Sequence, residues 1–197
     1  MKYKPYRKYK HSGIEWLGEI PEDWEVKRLK YFTKVNPPKS ELSGISKNTE
    51  VSFLPMENIS ETGTLDLSVT KKISEVINGY SYLRDHDVII AKITPCFENG
   101  KGAIAKDLVN GIAFATTEVI TLRPNHSDSS KYLYYLLFCS PFRKYAEGTM
   151  YGAGGQKRIA DSFVANYHFS LPPLPEQKAI AEFLDRETAK IDGLIER

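Results

Sequence analysis

The chain alternates short apolar runs with turn residues through its middle and then changes period. Val51-Ser52-Phe53-Leu54 reads as a strand stopped by Pro55, and Asp87-Val88-Ile89-Ile90-Ala91-Lys92-Ile93 as a stronger, β-branched strand ended by Thr94-Pro95. Gly102-Ala103-Ile104-Ala105 and Glu118-Val119-Ile120-Thr121-Leu122 complete the clear set, with Pro124 ending the last. Leu133, Leu136 and Leu137 then recur at helical spacing, which predicts a helix over residues 131–139 with Asp128-Ser129-Ser130 supplying possible N-caps. Ser140-Pro141 ends it, and a second short helix over residues 142–147 leads into Gly148-Thr149-Met150-Tyr151-Gly152-Ala153-Gly154-Gly155-Gln156-Lys157-Arg158. Four glycines within eight residues exclude a regular element there, so the segment is a loop.

Tyr167-His168-Phe169-Ser170-Leu171 reads as a strand that delivers the chain to Pro172-Pro173, and a long helix follows. Pro175 suits the first helical position, where a missing N–H costs nothing, and Glu176 complements the positive end of the helix dipole. Ile180, Phe183, Leu184, Ile191, Leu194 and Ile195 form a stripe that needs a partner surface. Leu184 and Ile191 stand seven apart, as do Glu187 and Leu194, which is compatible with a coiled-coil seam. No stop signal follows, so the helix is expected to run to the last residue. The pattern predicts an α+β domain with a mostly β core and flanking helices over residues 13–173. A basic arm over residues 1–12 precedes it, and a spacer or dimerisation helix over residues 174–197 follows.

Composition changes this picture little. With 197 residues, 41% of them hydrophobic and 26% charged, the chain can bury a core without disulfides, and Cys96 and Cys139 read as two buried free thiols. No apolar run approaches the roughly 18 residues needed to span a bilayer, and the N-terminus is basic and tyrosine-rich with no hydrophobic segment behind it. A cytoplasmic protein without a membrane partner is expected. Charge is uneven: residues 1–40 carry ten Lys or Arg against five Asp or Glu, within a net charge of only +2 for the whole chain. The arm, with Tyr3, Tyr6 and Tyr9 interleaved, could lie along a phosphate backbone or stand as a solvated terminus.

Enzymatic signatures fail on inspection. Asn36-Pro37-Pro38-Lys39 is similar to the motif that positions a flipped adenine, but Lys39 stands where the stacking aromatic belongs. Tyr151-Gly152-Ala153-Gly154-Gly155 is similar to an S-adenosylmethionine loop, yet it follows a helical stretch where a strand is required. No Gly-Lys-Ser/Thr phosphate loop occurs. The acids around Trp24 are too crowded for a nuclease centre, and His11, His86, His126 and His168 lack metal-ligand spacing. No catalytic residue, metal site or cofactor of its own is expected.

Two loops are suited to reading DNA. One carries Lys92, Thr94, Asn99 and Lys101; the other carries Thr149, Tyr151, Gln156, Lys157 and Arg158. Asn and Gln can pair with adenine edges, Arg and Lys can read guanine or hold phosphate, and glycine lets the backbone approach closely. A protein-binding adaptor and an adenine methyltransferase fragment are the competing classes.

Three segments then bear on the choice: Gly18-Glu19-Ile20-Pro21-Glu22-Asp23-Trp24-Glu25-Val26-Lys27-Arg28-Leu29, Leu83-Arg84-Asp85-His86-Asp87-Val88-Ile89, and Leu171-Pro172-Pro173-Leu174-Pro175-Glu176-Gln177-Lys178-Ala179-Ile180-Ala181. In this order the chain resembles the specificity subunit of type I restriction-modification systems, from about Gly13 to Arg197. The resemblance implies a target recognition domain that reads one half of a split site in double-stranded DNA. It also implies a helix that docks methyltransferase subunits, with a restriction subunit completing the complex. S-adenosylmethionine, ATP and Mg would then be used by those partners. A full subunit of this family holds two recognition domains, whereas one is expected here. The chain is therefore either a half-subunit that could pair as a homodimer through its helix, or a fragment.

Overall fold

The computed structural model describes residues 5–195, with only the backbone described at Ile195. The expectations for Lys2, Tyr3 and Lys4 in the arm, and for the Ile195 side chain, lie outside the described residues.

Two four-stranded sheets make the body. In the first, β5 (Glu50–Leu54) lies between β6 (Thr70–Lys72) and β10 (Ile112–Ala115), and β10 also pairs with β7 (Ser81–Arg84). The β5–β10 pairing is parallel and its neighbours are antiparallel. The second sheet runs in the order β4 (Thr33–Val35), β11 (Val119–Pro124), β8 (Val88–Ala91) and β9 (Gly102–Ile104), antiparallel throughout.

Side-chain alternation distributes these strands among three cores. Val88, Ile90, Ile120 and Leu122 face a helical layer, while Ile89 and Val119 face the first sheet together with Leu54, Leu83 and Ala113. Ile112 and Phe114 point the other way, with Val51, Phe53, Tyr82 and the short helix α2 (Ile73–Val76). A strand covered on both faces has no polar side, which is why β8 reads as an unbroken apolar run. Gly102 on β9 is needed for the same closeness: a Cβ there would lie 2.4 Å from the Ile89 carbonyl oxygen and 2.7 Å from Phe138.

The helical layer consists of α3 (Ser130–Phe138), α4 (Ser140–Gly148) and α5 (Asp161–Asn166), with α1 (Leu29–Phe32) beside them. Leu133 and Leu137 are fully buried and Leu136 half-buried, as the spacing predicts. The expected N-cap is corrected: no side chain caps α3. Asp128 and Ser129 instead form a 3-10 turn, the Asp128 carboxylate pairing with Lys178 at 2.7 Å. Ser130, already helical, donates to the His86 carbonyl at 2.6 Å. The cysteines are likewise corrected, since both are free but only half-buried.

The two ends of the domain meet. β1 (Tyr9–His11) pairs with β2 (Glu19–Pro21), and β3 (Glu25–Arg28) pairs antiparallel with β12 (His168–Leu171). From β12 the chain passes through Pro172 and Pro173 into α6 (Leu174–Ile195), so the helix begins one residue before Pro175. Glu176 accepts hydrogen bonds from the Trp24 indole at 2.9 Å and from the Tyr6 hydroxyl, and burial with this contact pushes the Tyr6 pKa up to about 12. Gln177, nearly fully buried, donates to the Pro172 carbonyl at 2.8 Å. Further along, Asp185 accepts from Tyr135 at 2.7 Å and pairs with Lys131, which fastens α6 to α3. Ile180 packs on the helical core and Phe183 and Leu184 are half-buried, but Ile191 and Leu194 are 56% and 69% exposed. The apolar stripe thus serves the domain along its first half only. Among the described residues no helix is long and apolar enough to cross a membrane.

Candidate nucleic-acid interface

The two loops singled out by sequence are joined at their roots. Leaving β8, Lys92 donates its N–H to the Glu118 carbonyl at 2.8 Å and accepts from Ile159 at 2.9 Å. Ile93 bridges Arg158, and Arg158 and Tyr151 exchange both backbone hydrogen bonds at 2.8 and 3.1 Å. This closes the segment between Tyr151 and Arg158 into a tight loop. Gly152 sits at φ +130°, where a Cβ would lie 2.5 Å from the Gln156 carbonyl oxygen, and Gly154 and Gly155 are left-handed at φ +63° and +77°. Glycine is therefore what this turn requires.

Side chains tie the loops further. The Thr94 hydroxyl donates to the Gly155 carbonyl and accepts the Lys157 N–H at 3.0 Å, while the Thr94 N–H donates to the Lys157 carbonyl at 3.0 Å. The Arg158 guanidinium donates twice to the Glu118 carboxylate, at 2.8 and 2.9 Å. That fork of hydrogen bonds holds the Glu118 carboxyl below its ordinary range and raises Arg158. Arg143 of α4 lies over the buried Phe97 ring, 3.7 Å from its centre, and so binds the first loop to the helix that leads into the second.

The nine loop residues therefore fall into different situations. Lys92, Thr94, Tyr151, Lys157 and Arg158 are brought together. Lys92 is turned toward Asp161 at 3.4 Å, and Asp161 is in turn bound by the Asn36 amide at 2.8 Å. Asn99 and Lys101 lie at the far end of the first loop, where the Lys101 ammonium donates to the Met56 carbonyl at 3.0 Å. Thr149 returns its hydroxyl to the Ala146 carbonyl at 2.8 Å. Among the described residues, the side chains of Asn99, Tyr151, Gln156 and Lys157 are exposed and carry no hydrogen bond or ion pair, with Tyr151 60% exposed. Those four are available to a ligand.

Sequence reasoning missed Glu118 and Asp161, and it met Asn36 only within Asn36-Pro37-Pro38-Lys39. Each lies far along the chain from the loop residue or strand it supports, and no local pattern marks such a pairing. The Asn36-Pro37-Pro38-Lys39 segment proves to be a connector: Asn36 exchanges hydrogen bonds with the Thr121 backbone at 2.7 and 3.0 Å, and the Lys39 ammonium donates to the Ile77 carbonyl at 2.6 Å. No group of three or more potential metal ligands occurs among the described residues.

Two β layers with a helical layer, and a long helix leaving the terminal two-stranded pair, make a fold shared with solved specificity subunits. The HsdS subunit from Thermoanaerobacter tengcongensis superposes with a TM-score of 0.61 at 21% identity, covering 95% of this chain and 42% of that one. The chain belongs to the family described as Type I restriction modification DNA specificity domain, which matches residues 21–196. It is 42% identical over 166 residues to the EcoAI specificity subunit of Escherichia coli, covering 82% of this chain and 27% of that protein. The MjaVIII specificity subunit of Methanocaldococcus jannaschii is 29% identical over 195 residues, covering 97% of this chain and 44% of that protein. The chain thus spans less than half the length of these relatives.

Proposed function

We propose that this chain reads one half of a split double-stranded DNA target for a type I restriction-modification complex and docks its methyltransferase subunits, with no catalytic step of its own. The observation that carries this reading is the clustering of exposed, unpartnered Tyr151, Gln156 and Lys157 on a loop whose root is hydrogen-bonded to a sheet. Gln156 can present its amide to an adenine edge, Lys157 can hold a phosphate, and Tyr151 offers an apolar ring with a polar tip. Asn99 extends the reading surface along the first loop.

On this reading S-adenosylmethionine, ATP and Mg are bound by the modification and restriction subunits, and the protein works in the cytoplasm, where its DNA lies. On this reading residues 13–173 read DNA and the helix from Leu174 is the spacer, while the arm over residues 1–12 is held to the domain through Tyr6 and through Tyr9–His11. The exposed Ile191 and Leu194 would meet the same residues of a second copy, so that a two-fold dimer reads a palindromic split site.

Selection from randomised duplexes, using this chain with its modification subunits, should enrich a split motif. Gln156→Ala should then relax one base position by about 1–3 kcal/mol. Lys157→Ala should weaken all duplexes alike and reduce the salt slope by about 1. Absence of any enriched motif would favour a protein-binding adaptor.

A further inference from the structure

We propose that Glu118, Arg158 and Thr94 are positioning residues: they hold the loop between Tyr151 and Arg158 in one conformation, so that its tip discriminates bases without being reordered by DNA. This deepens the DNA-reading proposal and rests on it. A loop with three glycines in four residues, Gly152 to Gly155, has an unusually large conformational freedom to lose on binding. Left to itself it would be ordered by the ligand, at a cost drawn from the binding energy. Here the order is built in beforehand. Thr94 acts from outside the loop on both Gly155 and Lys157, and Glu118 fixes the closing residue Arg158 with two hydrogen bonds.

The arrangement also reassigns two side chains that sequence marks as DNA contacts. The Arg158 guanidinium can turn to a guanine or a phosphate only by breaking its fork with Glu118, and a Thr94 hydroxyl already donating and accepting has little left to offer a base. Glu118 is a carboxylate beside a proposed DNA-reading loop, where a bare acid would repel phosphate; its pairing with Arg158 neutralises it. Lys157 and Gln156, one residue and two before the fork, remain outward and unpaired.

The test uses the full chain and the variants Glu118→Gln, Thr94→Val and Thr94→Ser. Without DNA, hydrogen exchange at the Tyr151, Lys157 and Arg158 amides should accelerate at least about tenfold in Glu118→Gln and Thr94→Val. Thr94→Ser, which keeps the hydroxyl, should exchange like the parent. With the modification subunits present, the ratio of affinities for the selected duplex and a scrambled duplex should fall about tenfold in the first two variants. The salt slope of Thr94→Val should stay where it was, because no cation has been removed. Unchanged exchange would overturn the clamp whatever the DNA data show. Faster exchange with an intact affinity ratio, in a protein where Gln156→Ala does lower that ratio, would overturn positioning and leave DNA reading standing. Faster exchange in a chain that prefers no duplex would overturn both.

Discussion

Asp87 has no exposed surface, yet it carries a carboxylate, and the residues around it show how the charge is accommodated. Arg123 meets both of its oxygens at 2.7 Å, the Arg84 N–H donates to it at 2.8 Å, and Arg123 also pairs with Glu41. Burial pushes the Asp87 carboxyl up, against the pull of Arg123, whereas Glu41, despite some burial of its own, is held below its ordinary range by Arg123 and Lys34. The Leu83-Arg84-Asp85-His86-Asp87 segment is thereby explained as a structural turn between β7 and β8. Asp85 accepts the Leu108 N–H at 3.1 Å, and His86 takes a left-handed conformation at φ +73°. Asp87→Ala would leave a half-buried guanidinium short of its best partner, and should lower stability by about 3 kcal/mol, read from the midpoint of urea unfolding at unchanged slope. None of this was legible beforehand. The letters of the segment were recognisable, but charge pairing across 36 residues of chain leaves no local trace.

Elements were legible where they were long or strongly periodic. β5, β8, β9 and β11 and helices α3 and α6 fall where the apolar pattern places them, although α6 buries its face along its first half only, while α4 starts at Ser140, inside the pair that reads as a helix end, and runs through Gly148. β10, with the sequence Ile-Ala-Phe-Ala, escaped because half of it is alanine, which strands disfavour. The strands of three or four residues near the N-terminus escaped because they are ordered by their partners rather than by their own pattern. In α6 the spacing showed a stripe but not its division. The first half is fastened by Glu176, Gln177 and Asp185, and the second presents Ile191 and Leu194 outward. Ile191→Asp with Leu194→Asp should therefore change the thermal midpoint of the isolated domain by no more than about 2 °C. If a second copy docks there, the same pair should convert a dimer to monomer in sedimentation at micromolar concentration. A parent chain that sediments as monomer would remove that part of the proposal.

At the scale of the whole molecule, the three sequence segments that carry the family resemblance turn out to be structural. The first supplies β2 and β3, the second the turn between sheets, and the third the anchor of α6. They define the scaffold, while the loops that differ in situation from residue to residue carry the proposed reading. The sequence therefore revealed the family more readily than the site. Residue type alone marks the loop candidates, and only the fold sorts them into residues free for a ligand and residues occupied in holding the loop.

The pairing of β3 with β12 has a kinetic consequence. Arg28 and His168, opposite one another across that pair, are 140 residues apart, against 14 for Ile89 and Ala103 across β8 and β9. A tenfold longer closure costs about 2 kcal/mol more in chain entropy, before any contact made by the short terminal pair offsets it. The central sheets should thus be established early, with the terminal pair zipping up afterwards and α6 seating last against Trp24. Pulsed hydrogen exchange during refolding should protect the amides of β8 and β11 ahead of those of β3 and β12. During synthesis, the reading domain would then be assembled before its helix takes up the position from which a partner could grip it.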